Sequence, residues 1–256
     1  MHPILFSFHN FTIYSYGCMV AMGFLAATFW SYWQVGGFRR KASPAVANQF
    51  LSVDQLLSLV IWIVVSGIIG ARLFYVIQFW PEFANQPLQI LNLRGGGLVF
   101  YGGLIGGLIA LFGFCKFHKL QLLKVLDLVT PSVILGYSFG RIGCFFEGCC
   151  YGKVCSVPWA VHFPLLSGLR HPTQLYSSFL AFLIFLFLVR LAKHQSYTGQ
   201  IFFWGIALHS CYRFSIEFIR ENPLYYGLSS AQWTALILLG VAVPLGLYFR
   251  NKAEVS

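Results

Sequence analysis

Residues 136–153 read GYSFGRIGCFFEGCCYGK. The stretch continues an apolar run, yet it carries Arg141, Glu147, three cysteines and five glycines. Arginine is unfavourable in a greasy helix, and glycine weakens a packed one. Either the chain leaves a membrane here, or something other than packing chose these residues. A charged side chain costs about 2.5–3.5 kcal/mol at the centre of a membrane helix and less near its ends. The depth of Arg141 therefore matters, and depth follows from the spans around it.

The 256 residues are 58% hydrophobic and 9% charged, against roughly a quarter charged in a soluble domain. So much apolar surface cannot be hidden from water by one core, and lipid is the expected solvent. The net charge of +10 is spread between apolar runs instead of forming one block, which suits topology signals and speaks against a nucleic-acid surface. No Lys or Arg precedes the first hydrophobic run, so the N-terminus does not read as a cleaved signal peptide. Runs long enough to span a bilayer fall at about 13–34, 55–79, 98–114, 125–145, 173–192, 199–219 and 231–249. The third is short, and the fourth holds Asp127 and Pro131. The expectation is an all-α polytopic membrane protein with about seven transmembrane helices, forming one integral membrane domain over 1–256.

Loop charges orient it. Arg39, Arg40, Lys41, Lys116, Lys119, Lys124, Arg190, Lys193, Arg250 and Lys252 fall on one side, against Arg94, Lys153, Arg170 and Arg220 on the other. By the positive-inside rule the N-terminus lies outside and the C-terminus is cytoplasmic. Arg72, Arg141 and Arg213 then sit within or at the ends of spans on the outer side. Tyr16, Tyr101 and Glu217 gather at the same level.

A single such arginine is readily explained by snorkelling to the headgroups. Three at one depth suggest a cationic pocket for a phosphate, whose oxygens a guanidinium fork matches two at a time. In RFSIEFIRE, Arg213, Glu217 and Arg220 share one helical face, so Glu217 neutralises Arg213 or fixes its rotamer. In RGGGLVFYGGLIGG, Gly102, Gly103, Gly106 and Gly107 have the spacing of close helix packing. Gly95, Gly96 and Gly97 precede the span, where backbone could approach a headgroup. Cys144, Cys149, Cys150 and Cys155 lack the paired spacing of a zinc site. No metal is expected, and an oxidising outer face favours a disulfide among Cys149, Cys150 and Cys155. With seven cysteines at least one stays unpaired within the chain.

The 136–153 stretch resembles the signature of the prolipoprotein diacylglyceryl transferases, approximately G-R-x-G-N-F-x-N-G-E-x-x-G. YGCMVAMGF, GARLFYVIQFW, GGLVFYGGLIGG, RHPTQLYSS and RFSIEFIRE support it in family order, across residues 16–221. The resemblance implies a seven-span enzyme of the bacterial cytoplasmic (inner) membrane, without cofactor. Its substrates would be phosphatidylglycerol and the lipobox cysteine of a preprolipoprotein signal peptide. It would release glycerol phosphate and form a thioether. By position, Arg141 and Arg213 match the arginines that grip the lipid phosphate. Tyr16, Gly152, Glu217 and Arg72 match further substrate-binding positions, and Tyr101 stands where the family commonly has a catalytic histidine. Cys144 and Cys149 stand where it commonly has asparagine and glutamate. These departures keep two alternatives open: a paralogue serving another acceptor, or a non-catalytic lipid-binding membrane protein. A redox or metal protein rests on the cysteine cluster alone.

Overall fold

Each of the seven apolar runs folds as helix in the computed structural model, which describes residues 3–8, 11–41, 51–84, 86–92, 96–164 and 166–255. Arg94 and Gly95 lie outside these, as do the side chains of Arg39, Arg40 and Lys41. The described residues hold eight α-helices: α1 Ser15–Lys41, α2 Val53–Gln78, the short α3 Trp80–Phe83, α4 Phe100–Phe117, α5 Leu122–Glu147, α6 Thr173–Ala192, α7 Gln200–Ile216 and α8 Ser230–Val255. Of these α2, α5, α6 and α8 are long and apolar enough to cross a membrane, and Tyr101–Phe117 is apolar but shorter. The chain is a mostly helical membrane protein.

The described residues also hold three small antiparallel hairpins: β1 Ile4–Phe8 with β2 Phe11–Tyr14, β3 Val161–His162 with β4 Leu169–Arg170, and β5 Leu224–Tyr225 with β6 Leu228–Ser229. The first run, expected to be helical from about residue 13, instead opens as strand and turns helical at Ser15. Phe11–Tyr14 is aromatic and β-branched, which suits a strand paired with β1.

Local signals set several ends. Ser52 and Gln55 form a reciprocal capping box at α2, with bonds of 2.9 and 3.0 Å. Ser229 and Gln232 do the same at α8, at 2.9 and 3.2 Å. Asp127, a carboxylate within an apolar run, caps a different helix from its own. It accepts from the backbone N–H of Gly199 at 2.6 Å and Phe202 at 2.9 Å, and from Gln195 Nε2 at 2.6 Å. The two backbone N–H groups are orphan donors at the start of α7, where a negative charge is also favoured by the helix dipole.

The chain divides into two compact units, 1–31 with 126–256, and 32–125. In the second unit, α2 and α4 run antiparallel with their backbones almost touching. Gly102 lies against the Gly70 carbonyl and Gly106 against the Ser66 carbonyl, while Gly103 and Gly107 face Gly67 and Ile63. No larger side chain fits at Gly102 or Gly106, as expected for small residues between membrane helices. In the first unit α1 packs antiparallel on α5. Gly23 meets Gly136, Gly143 meets Tyr16, and Ser31 bonds Ser132 between hydroxyls at 2.6 Å. The core of this unit joins α5, α6 and α7 through Leu135, Ala181, Leu188, Ile201 and Tyr212.

Candidate active site

α5 ends in a Schellman turn that gathers the motif residues. Gly148 takes φ +79°, a left-handed conformation that glycine adopts without a Cβ penalty. Its N–H bonds the Phe145 carbonyl at 3.1 Å, and the next N–H, of Cys149, bonds the Cys144 carbonyl at 3.2 Å. In this motif the residues at the Cys144 and Cys149 positions commonly touch. Cys150 is also left-handed, at φ +64°, uncommon for a residue with a side chain. It turns back on the helix end, and the Cys144, Cys149 and Cys150 sulfurs lie within 4.8 Å of one another. All three are free thiols, as is Cys155, so no disulfide forms in this structure. The sequence spacing gave no sign of this convergence, because the turn creates it.

The start of α6 holds the turn in place. Thr173 Oγ1 donates to the Cys150 carbonyl at 2.7 Å and Gln174 Nε2 to the Cys149 carbonyl at 2.5 Å. Both side chains are fully buried. Gly152 follows, bonded through its N–H to the His171 carbonyl at 2.9 Å. A Cβ there would come within 2.8 Å of His171, Ile219 and Thr173. The expected Gly152 position is therefore one where backbones crowd, a structural reason for glycine.

Arg141 lies one turn before Cys144. Its Nη1 donates to Cys144 Sγ at 3.6 Å, while Nε and Nη2 are buried without a hydrogen-bond partner among the described residues. A buried guanidinium with unmet donors is costly and suits an anion that accepts from both nitrogens. Its guanidinium carbon lies 6.0 Å from the Tyr137 ring centroid. The Tyr212 hydroxyl donates to that of Tyr137 at 2.5 Å, and His209 packs edge-on to both rings at 5.0 and 4.9 Å. His209 and Arg213 are four residues apart on α7, so this aromatic trio joins the two arginines.

Arg213 Nη1 donates to Glu217 Oε2 at 2.7 Å, and Arg220 Nη1 approaches the same oxygen at 3.5 Å. Asn222 Nδ2 bonds the other oxygen. Glu217 is buried, so one carboxylate fixes two guanidinium groups. Arg220 and Arg141 both act on Cys150, which closes the circle. Hydrogen bonds from Cys144 and Cys149, then the two arginines, hold the Cys150 thiol far below the ordinary range against the effect of burial. Hydrogen bonding to Cys144 and Cys150 pushes Cys149 the other way. Tyr16, at the start of α1, packs on Gly143.

Of the expected site residues, the first unit brings together Arg141, Arg213, Glu217, Gly152 and Tyr16. Arg72 and Tyr101 belong to the second unit. Arg72 is buried, and its guanidinium donates to four carbonyls: Nε to Ile90 at 2.8 Å, Nη2 to Gln89 at 2.7 Å, and Nη1 to Gly96 and Gly97 at 3.0 and 3.2 Å. Gly96 and Gly97 have φ of +81° and +78°, and a Cβ on Gly97 would strike Arg72. These two glycines fold around the arginine. Tyr101 is exposed in the first turn of α4.

Sequence reasoning missed His209, Gln174 and Arg170. The spacing HSCYRFSIE puts His209 on the Arg213–Glu217 face, a signal that was available. Arg170 is buried, pairs with Glu221, and lies 5.1 Å over the Tyr151 ring; only the β4 pairing reveals it. A surface groove lined by Tyr197, Phe203, Trp204, Gly246 and Arg250 contains none of these groups.

The family model described as prolipoprotein diacylglyceryl transferase matches residues 3–248. The chain belongs to the prolipoprotein diacylglyceryl transferase family. It is similar to the phosphatidylglycerol–prolipoprotein diacylglyceryl transferase of Clostridium tetani, 36% identical over 252 residues, spanning 95% of this chain and 96% of that protein. Proteins of the same name in Clostridioides difficile and Lactobacillus delbrueckii are 33% and 35% identical. They cover 100% and 99% of this chain, and 99% and 93% of their own lengths. Within this diacylglyceryl transferase chain, the positions that depart from the family signature at Cys144 and Cys149 are in mutual reach. They form one linked change.

Proposed function

We propose that this chain transfers the diacylglyceryl group of phosphatidylglycerol to the lipobox cysteine thiol of an exported prolipoprotein, releasing glycerol phosphate and forming a thioether. Residues 1–256 act as one domain of the bacterial inner membrane, crossing it seven times with the N-terminus outside and the C-terminus cytoplasmic. The balance of loop charges supports that orientation, and it puts Arg141 and Arg213 toward the outer surface. Exported lipobox cysteines arrive on that side.

Arg141 carries the reading. Its Nε and Nη2 are buried without a partner among the described residues, as is Arg220 Nε nearby, and the pair on Arg141 suits the phosphate oxygens of the lipid. Arg213, held by Glu217, supplies a second cation. The acceptor sulfur attacks the glycerol carbon next to the phosphate, the C–O bond breaks, and the electron pair leaves on the phosphate. Fixed cations stabilise the charge that develops there, commonly the largest single catalytic contribution. Tyr16 and Gly152 line the site, Arg72 orders the segment around Gly96 and Gly97, and Tyr101 positions thiol or headgroup through its hydroxyl.

The test uses a synthetic lipobox peptide and phosphatidylglycerol in detergent. Arg141→Ala is expected to reduce thioether formation by about 100-fold or more, with membrane insertion unchanged. Arg141→Lys rescues poorly, because an ammonium lacks the planar fork. Near-normal transfer by the alanine variant contradicts the phosphate grip.

A further inference from the structure

Three sulfurs on adjoining backbone, two of them fixed by one turn, make a donor set as well as a packing cluster. Cys144, Cys149 and Cys150 sulfurs lie within 4.8 Å of one another. Thiolates bound to one zinc at about 2.3 Å sit roughly 3.8 Å apart in tetrahedral geometry, so closing on an ion needs shifts of about 1 Å. The turn that would hold them is braced at both carbonyls by Thr173 and Gln174, and Cys150 is kept left-handed at φ +64°. Strain of this kind persists where the surroundings impose it, and gathers at functional sites. No fourth His, Cys, Asp or Glu joins the group among the described residues. Three protein ligands with an open position is the arrangement of catalytic zinc, whereas structural zinc is closed by four.

We infer that Cys144, Cys149 and Cys150 bind one thiophilic d10 cation, Zn²⁺ or Cu⁺, and that its open position takes the acceptor thiol. The metal half stands on the sulfur geometry alone; the acceptor half rests on the transfer reading above. Three thiolates and a divalent ion carry one net negative charge. Arg141, bonded to Cys144 Sγ at 3.6 Å, and the nearby Arg220 offset it. Partners of this kind orient ligands and tune the ion. A thiol that enters the fourth position is deprotonated outright, its proton passing to water. The bound sulfur attacks the glycerol carbon, the C–O bond breaks with its electron pair staying on the phosphate, and the neutral thioether, a poorer ligand, leaves the ion. Arg141 would face the ion through Nη1 and the phosphate through Nε and Nη2, so nucleophile and leaving group meet across one guanidinium.

The full-length chain, purified in detergent from cells grown with added zinc, is analysed for metal. The expected result is about one zinc per chain, lost in Cys149→Ser and in Cys150→Ser and retained in Cys155→Ser. Copper at the same stoichiometry, lost in the same two variants, supports the same site with a monovalent ion. Wild type that carries no metal, and shows no thiolate-to-cobalt charge-transfer absorption on addition of Co²⁺, overturns the inference. So does a disulfide within the trio. With cobalt loaded, a lipobox peptide is expected to shift that absorption and its Cys→Ser counterpart to leave it unmoved; no shift with either overturns the acceptor half. Thioether formation is measured on the same preparation. Metal-free protein that forms thioether sinks the acceptor half and leaves the transfer reading standing, and metal-loaded protein that forms none sinks the transfer reading and leaves the metal half standing.

Discussion

Glu217 and Arg213 form one ion pair, yet removing one is not equivalent to removing the other. Without Arg213, Glu217 still meets Arg220 and Asn222. Without Glu217, two guanidinium groups face each other with nothing between them, and stranding one side of a buried pair costs about 3–5 kcal/mol. Arg213→Ala is therefore expected to abolish transfer with the thermal midpoint nearly unchanged, whereas Glu217→Ala loses transfer and lowers the midpoint together. Thermal unfolding in detergent, run beside the transfer assay, checks this, and equal midpoints for the two variants would contradict it. Arg72 is a different case, since its four hydrogen bonds among the described residues all go to backbone carbonyls. Bonds to a charged donor contribute about 1.5–3 kcal/mol each, so Arg72→Ala should release the backbone at Gln89, Ile90, Gly96 and Gly97 to protease. Unchanged cleavage there would argue against the ordering role. The sequence marked Arg72 as unusual by its depth. It could not show the partners, because they come from residues 17 to 25 positions further on.

Elements were legible where a long-period signal exists. Apolar runs located α1, α2 and α4 to α8, and the spacing of Gly102, Gly103, Gly106 and Gly107 announced the face that meets α2. Gly106→Leu inserts a side chain where the Ser66 backbone already lies; overpacking costs about 1–3 kcal/mol, and here the neighbour that must give way is main chain. A lower thermal midpoint is expected, while Gly113→Leu, where nothing lies within 4 Å, leaves it alone. Equal effects would mean the α2–α4 contact is not tight. Short elements were not legible. Nothing in the apolar opening distinguished β1 and β2 from the start of a span, since strand and buried helix look alike over a few apolar residues. The Schellman turn was half legible: Gly148 after a helix is a stop signal, but the left-handed Cys150 that completes the sulfur trio depends on α6 holding its carbonyl.

Across the whole molecule the active-site reading joins sequence features that lie far apart: Tyr16 near one end, the 136–153 motif in the middle, and Arg213 to Arg220 toward the other. Depth alone aligned them in the sequence, and the first unit brings them together around Arg141. The seven-span topology we propose predicts that single cysteines placed in the loops 116–124 and 193–199 of a cysteine-free variant resist an impermeant thiol reagent added outside intact cells. Labelling at either loop would reverse the orientation and put the arginines on the wrong side for an exported acceptor. The central claim is the chemistry itself. It is tested most directly by producing this chain in a bacterium depleted of its own diacylglyceryl transferase and taking the mass spectrum of one lipoprotein's N-terminal cysteine peptide. Wild type is expected to restore growth and a thioether-linked diacylglyceryl on that cysteine, and Arg141→Ala to restore neither. An unmodified cysteine with wild-type protein correctly inserted in the membrane would contradict the account.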